Sequence, residues 1–159
     1  MADLTPGTPW TTGADQVRRL LDEGRLDQVV PDANLTARQP RYALQSLDAA
    51  REQVERLPMP ALTSAYDAAR LALVVLLEHQ GLRARTEGSH LTIEETAAAQ
   101  ISPALGRKFR ALRLLRHTME YPSPDDDDAT VRDAHDALEL AQTLVPAVER
   151  LMPQMGVFR

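Results

Sequence analysis

The chain has 159 residues, 43% of them hydrophobic, 4% aromatic and 26% charged, with a formal net charge of −5. That length supports one domain with a real core and is short for two. The acidic balance excludes a generic polyanion-binding surface, and the lack of cysteine excludes disulfides, thiol catalysis and thiolate metal ligands. Scarce aromatics beside abundant Ala and Leu favour close-packed helices over a β-sandwich. Nearly all cations are arginine, Lys108 being the only lysine, which reads as the codon usage of a GC-rich bacterial genome. No apolar run approaches the ~20 residues that span a bilayer; the longest is residues 71–77. The first nine residues carry neither the basic nor the apolar region of a secretory signal. A cytoplasmic location with no membrane contact is therefore expected.

In chain order, residues 1–14 combine Pro and Gly with Thr and Trp10, and a flexible arm is expected there. Asp15 to Glu23 has a helical pattern, with Val17, Leu20 and Leu21 on one face and Gly24 as its stop. Val29-Val30-Pro31-Asp32 reads as a turn-like connection closed by Pro40. Residues 1–40 are thus expected to supply a short helix packed on the main body, or an arm for a partner. Arg41 to Leu57 follows as the first long helix, with Leu44, Leu47, Ala50, Val54 and Leu57 at three- and four-residue steps, ended by Pro58 and Pro60.

Thr63 to Gln80 is the most apolar helix, and apolar residues around most of its circumference place it in the middle of a bundle or at a subunit interface. Gly81 stops it. Leu82 to His90 reads as a loop, and Thr92-Ile93-Glu94-Glu95 as a capping box opening a short helix to Gln100. Ser102-Pro103 breaks or restarts that helix. The basic stretch from Leu105 then ends at Tyr121, because Pro122 and Pro124 cannot continue a helix. Asp125 to Asp128 reads as a solvated loop whose last Asp caps the next helix.

Ala129 to Leu151 holds the most regular pattern, with Ala134, Ala137, Leu138, Ala141, Leu144, Val145, Val148 and Leu151 on one side and Pro146 as a bend. Residues 153–159 are expected to fray as a tail. No strand-like alternation is long enough to count. The fold class expected is all-α, an antiparallel bundle of four to five helices forming a single domain over residues 15–152.

No Gly-rich phosphate loop, Ser nucleophile elbow or His-Glu-x-x-His zinc helix is present. His90 with Glu94 and His135 with Glu139 stand four residues apart, a spacing too common in helical proteins to define a metal site, and no metal is expected. The basic helix carries Arg107, Lys108, Arg110, Arg113, Arg116 and His117 with no acid before Glu120. Two readings stay open for it: a solvated face whose arginines pair with neighbouring acids, or a phosphate site, since the planar guanidinium binds two oxygens at once. Asp67 and Arg70, three apart, form either a local ion pair or part of a polar network reaching Arg116.

The sequence Arg116-His117-x3-Tyr121, followed at once by Pro122 and set late in a small helical bundle, resembles the motif of the HEPN superfamily: an Arg, a polar residue, three further residues and a His. It looks most like the bacterial branch in which a Tyr-Pro pair replaces that His. The stretches Ala65-Tyr66-Asp67-Ala68-Ala69-Arg70, Leu76-Leu77-Glu78-His79-Gln80-Gly81-Leu82-Arg83 and Gly88-Ser89-His90 agree with it. The resemblance implies a four- to five-helix homodimer whose two motifs line a shared basic cleft. It also implies metal-independent endoribonuclease activity or RNA and nucleotide binding, in toxin–antitoxin, CRISPR or phage-defence settings, without a cofactor. A separately encoded antitoxin or nucleotidyltransferase is an implied partner.

Carried over by position, Arg116, His117 and Tyr121 become the catalytic candidates. Arg107, Arg110, Arg113 and Arg116 become the phosphate- or RNA-binding set, with Asp67, Arg70 and His90 in support. Tyr121 departs from the pattern. A phenol titrating near ~10 is a poor base for a ribose 2′-hydroxyl, whereas an imidazole near ~6.5 suits the task. Phosphate binding with weak or absent cleavage is the expected function. An active endoribonuclease and a non-catalytic protein–protein module are the alternatives.

Overall fold

The expected stop at Gly24 is present: its φ of +67° is a left-handed conformation that a residue without a Cβ adopts at little cost. It closes α1 (Ala14–Asp22), which buries Val17 and Leu20. The computed structural model describes residues 10–159, so residues 1–9 of the expected arm lie outside the described part. Of the rest of that arm, Trp10 packs against the core. The chain continues through β1 (Leu26–Gln28), α2 (Ala33–Gln53), α3 (Pro58–His79), β2 (Leu82–Ala84), α4 (Ser89–Gln100), α5 (Pro103–Glu120) and α6 (Val131–Leu151), and a single 3-10 turn follows at Met152–Gln154. The result is the all-α bundle that the periodicity predicts, with one small antiparallel strand pair added to it.

Helix α3 is the axis of the molecule. Its alanines Ala61, Ala65, Ala68, Ala69 and Ala72 are buried and let neighbouring helices approach closely, while Leu62, Leu73 and Leu76 fill the space between them. Helices α2 and α6 pack along it, with α5 and α4 closing another side. By length and mean hydropathy α3 is, among the described residues, the one helix that passes as a membrane span, but most of it is buried inside the bundle.

Several boundaries differ from the sequence expectation. Pro40 lies inside α2 rather than before it. The helix already starts at Ala33, where the Asp32 carboxylate accepts from the amides of Asn34 and Leu35. That cap and the packing of α2 along α3 together outweigh one missing amide. The buried face of α2 is Ala43, Leu47, Ala50 and Val54; Leu44 and Leu57 are exposed. Pro58 opens α3 instead of merely ending α2, because the first helical position has no amide to satisfy.

The expected loop after Gly81 holds β2, which pairs Leu82, Arg83 and Ala84 with Gln28, Asp27 and Leu26. Helix α4 begins at Ser89 behind Gly88, so Thr92 is no cap. Its hydroxyl donates to the Gly88 carbonyl, and Glu95 reaches Arg25 at 2.7 Å. A capping box does form at α6, but with Thr130 and Asp133 rather than with Asp128. Helix α5 restarts at Pro103 with Ser102 as its cap.

The tail does not fray. Met155 and Phe158 are buried, the Phe158 amide donates to the Gln80 carbonyl at 2.8 Å, and His79 Nε2 donates to the Met155 carbonyl at 2.8 Å. Nearby, Gln80 and Gln100 are both buried and exchange amide hydrogen bonds at 3.0 and 2.7 Å, tying α3 to α4.

Helices α4 and α5 lie in close contact at Gly106, where an added Cβ would fall 2.4 Å from the Ala98 Cβ and 2.7 Å from its Cα. Gly106→Ala is expected to destabilise the fold by about 1–2 kcal/mol, the overpacking strain outweighing the better helix propensity of alanine. An unshifted urea midpoint would refute that close approach.

Candidate functional site

The rotation of α5 sorts its side chains into directions. Phe109 and Leu112 enter the core, and this turns Arg113 and Arg116 toward α3 and α4, where both are half-buried. Arg107, Arg110, Leu114, His117 and Tyr121 are left facing solvent.

At the centre of the inward-facing group is Tyr66 of α3, 1% exposed. Its ring stacks on Phe109, with centroids 5.5 Å apart and planes at 15°, and on His90 of α4 at 6.0 Å and 27°. The Tyr66 hydroxyl and His90 Nδ1 share a hydrogen bond of 2.5 Å. The Arg116 guanidinium lies over the Tyr66 ring, 5.0 Å from its centroid, a cation–π arrangement.

Acids hold the arginines. The Arg116 Nη1 donates to Glu120 one turn later at 2.8 Å, while its Nε is buried with no hydrogen-bond partner among the described residues. The Arg113 Nε donates to the buried Glu94 carboxylate at 2.8 Å, and the Arg110 Nε lies 3.9 Å from that carboxylate's other oxygen. Asp67 and Arg70 do not pair with each other; the ion pairs of this region, among the described residues, are those made by Glu94 and Glu120.

Arg70 acts through its charge. Burial, and then the cations Arg70, Arg116 and Arg113, hold the His90 imidazole below its usual range, with Glu120 opposing. Burial raises the Tyr66 phenol, against the pull of Arg70, Arg116 and Arg113 and with a small addition from Asp67. At neutral pH the centre is therefore an uncharged His–Tyr pair flanked by three guanidinium groups.

The structure thus brings Arg70, His90, Arg113 and Arg116 together around Tyr66, with Asp67 at the edge. It does not bring His117 and Tyr121 to them. Those two rings lie side by side, centroids 5.1 Å apart, on the outer face of α5, and Tyr121 is 65% exposed where the chain leaves the helix. Around a regular helix they stand about 100° and 140° from Arg116, so within one protomer the three motif residues do not converge. Arg107 and Arg110 also belong to that outer face.

Three participants were not among the candidate site residues: Tyr66, Glu94 and Glu120. Glu120 had a legible signal, its four-residue spacing from Arg116. Tyr66 was legible only as part of a family-like stretch and Glu94 only as a neighbour of His90 or a capping residue, because their contacts here come from other helices.

On the far side of α5, a groove of about 380 Å³ runs between α5 and α6 over Leu112, Leu115 and Leu140. Asp133, Asp136 and Glu139 rim it, which sets its charge against an anionic ligand. His135, the other spaced histidine, bonds Glu55 in the turn between α2 and α3 at 2.6 Å. Among the described residues no group of three or more His, Asp or Glu has metal-holding geometry.

These features define a class: a small all-α bundle domain with a cationic cluster where its third and fifth helices meet. A model of the HEPN domain matches residues 39–151, more than two thirds of the chain, and the chain belongs to that family. The match takes in most of α2 and all of α3 to α6, with α1 and β1 preceding it. No curated protein and no solved structure matches the chain.

Proposed function

We propose that this HEPN-domain protein binds RNA or nucleotide phosphate through Arg70, Arg113 and Arg116, with weak or no nuclease activity from its Arg-His-x3-Tyr motif. The observation that carries this reading is the gathering of three guanidinium groups from two helices at one partly exposed edge of a chain whose net charge is −5. Glu94 and Glu120 answer two of these cations, and Arg70 has no ion-pair partner among the described residues. The cluster stores an attraction for a phosphodiester, which can replace Glu120 on Arg116 without disturbing the core.

The reading includes a homodimer in a toxin–antitoxin or defence setting, beside a separately encoded antitoxin or nucleotidyltransferase. The homodimer draws support from the outer stripe of α5, where Leu114 and Tyr121 are exposed next to Arg110 and His117. A second copy docked there would cover both apolar groups and add its own arginines to the cleft. Sedimentation at micromolar concentration is expected to give a dimer that Leu114→Asp converts to monomer. A wild-type monomer would remove this part of the reading.

RNA binding measured against salt tests the main claim. Arg113→Ala and Arg116→Ala are each expected to weaken binding of a single-stranded RNA and to lower the magnitude of the slope of log K against log salt by about one unit. Unchanged affinity and slope in both variants would refute the site. The alternative, an active metal-independent endoribonuclease, draws support from one observation: an uncharged imidazole, His90, stands beside the arginines.

A further inference from the structure

We propose that the groove between α5 and α6 docks a cationic amphipathic helix of a partner protein, its apolar residues on the leucine floor and its Lys or Arg residues against Asp133, Asp136 and Glu139. The proposal stands apart from the phosphate-binding reading. It concerns another face of α5 and a partner of opposite charge.

The groove follows from how the two helices are supported. Helix α6 packs mainly along α3, and α5 packs mainly on α4, so the two meet each other only in part. Alanines on both walls, Ala111 and Ala137, leave the gap between them unfilled. What remains is an open cleft of about 380 Å³ floored by Leu112, Leu115 and Leu140. A cleft of that size with an apolar floor is built to take side chains out of water.

Its length suits a helix. The lining runs from Lys108 to Leu115 on α5 and from Asp133 to Leu140 on α6, about 10 Å of each helix at ~1.5 Å per residue. Apolar residues at positions i, i+4 and i+7 of a third helix cover the same span, which is how amphipathic helices are held in grooves.

Its charge selects the partner. Asp133, Asp136 and Glu139 follow one another at three-residue steps along the α6 rim, and Lys108 is the single cation among the described residues that line the groove. Residues 125–139 contain seven acids and one arginine. With His135 neutral, that short segment is more negative than the whole chain, whose net charge is −5.

These acids are only partly used inside the fold. The Asp133 carboxylate accepts the Thr130 amide at the cap of α6. Asp136 and Glu139 take no part in the ion pairs of α6, which among the described residues come down to His135 with Glu55. A cationic partner relieves the mutual repulsion of this row. The same field turns away RNA and anionic lipid. Polyamines would satisfy the acids but leave the leucine floor wet. The outer stripe of Arg110, Leu114 and Tyr121 lies on a different side of α5, Leu115 being about 100° from Leu114, so a second copy docked on that stripe leaves the groove open.

The test uses the full chain and a displayed library of peptides of about 15 residues. Leucine is fixed at i, i+4 and i+7, and the other positions vary among Lys, Glu, Gln and Ala. Enriched peptides are expected to be rich in Lys, and their fluorescent synthetic forms to bind in the micromolar range. Scrambling the leucines at constant composition should weaken binding at least about tenfold. Ala111→Trp, which fills the groove from an exposed position, should do the same. Asp136→Lys combined with Glu139→Lys should cost about tenfold and flatten the salt dependence. Asp48→Lys, which reverses an exposed acid on α2, should change nothing. Amide NMR of the labelled protein should shift at residues 108–115 and 133–140 when peptide is added. Thermal melts confirm folding, and Asp136→Asn with Glu139→Gln replaces the reversed pair if that variant melts early.

Enrichment of acidic or uncharged peptides, or of none, overturns the proposal. So does equal binding of patterned and scrambled peptides, which means attraction by bulk charge alone, and so does full affinity in Ala111→Trp. Dissociation of a wild-type dimer by Ala111→Trp overturns it in favour of a second copy as the occupant. None of these results touches the phosphate-binding reading, which the RNA titrations of Arg113→Ala and Arg116→Ala decide separately.

Discussion

Tyr66→Ala is expected to lower the unfolding free energy by about 3–5 kcal/mol and to abolish phosphate binding in the same stroke. The phenol is a fully buried side chain of the central helix, and its loss opens a void against Phe109 that α5 can fill only by rotating. That rotation carries Arg113 and Arg116 with it. The same substitution removes the surface on which the Arg116 guanidinium rests and the hydroxyl that holds His90. Urea unfolding followed by circular dichroism measures the stability change. Tyr66→Phe, which keeps the ring, is expected to cost only about 0.5–1.5 kcal/mol. A Tyr66→Ala loss under ~1 kcal/mol would mean that the ring is not packed in this way.

Glu94→Ala should move stability and binding in opposite directions. The carboxylate is buried and accepts from Arg113 at 2.8 Å, with Arg110 3.9 Å away. Removing one partner of a buried pair leaves an uncompensated charge, at a cost of about 3–5 kcal/mol in the fully buried case. Arg113 keeps part of its surface in water, so about 2–4 kcal/mol is expected here. Freed of its acid, Arg113 should then bind RNA several-fold more tightly at low salt. Denaturant unfolding together with RNA anisotropy checks both signs. A fall in affinity alongside the fall in stability would mean that Arg113 serves the fold alone.

These two residues also mark where the sequence was readable and where it was not. The helix over residues 131–151 was legible because its apolar face repeats for nearly six turns, and the end of α5 because two prolines forbid continuation. The strand pair was not, since three residues are too few for alternation to register and its members lie more than fifty positions apart. Leu44 and Leu57 misled because the larger apolar residues were taken for the buried face, whereas the smaller Ala43 is the one buried beside Leu47 and Ala50. The tail was lost for a similar reason: only two of its residues, Met155 and Phe158, are buried, too sparse to form a pattern.

For the candidate site, the sequence could count arginines but could not rotate the helix that bears them. Phe109 and Leu112 decide that Arg116 faces inward and His117 outward, and their effect depends on where Tyr66 sits on another element. Glu94 reads locally as half of a His–Glu pair or of a capping box; only the packing of α4 on α5 reveals it as the counter-ion of Arg113. The motif letters thus pointed to α5 and left open which of its residues turn toward α3 and α4.

The paired glutamines between α3 and α4 have a consequence for that geometry. A leucine pair at positions 80 and 100 would bring the two helices together as firmly, but hydrocarbon contacts change little when one helix slides along the other. Two amides that each donate to and accept from the other are satisfied at a single axial offset, and a shift of one ångström or so leaves both short of a partner in a dry interior. The pair works as an index pin. It sits at the last turn of α4 and sets how far the first turn reaches, which decides whether the His90 ring arrives over Tyr66 or overshoots it. The bundle can tolerate wear in its hydrophobic layers and still bring the same two rings together, so long as that pin is seated.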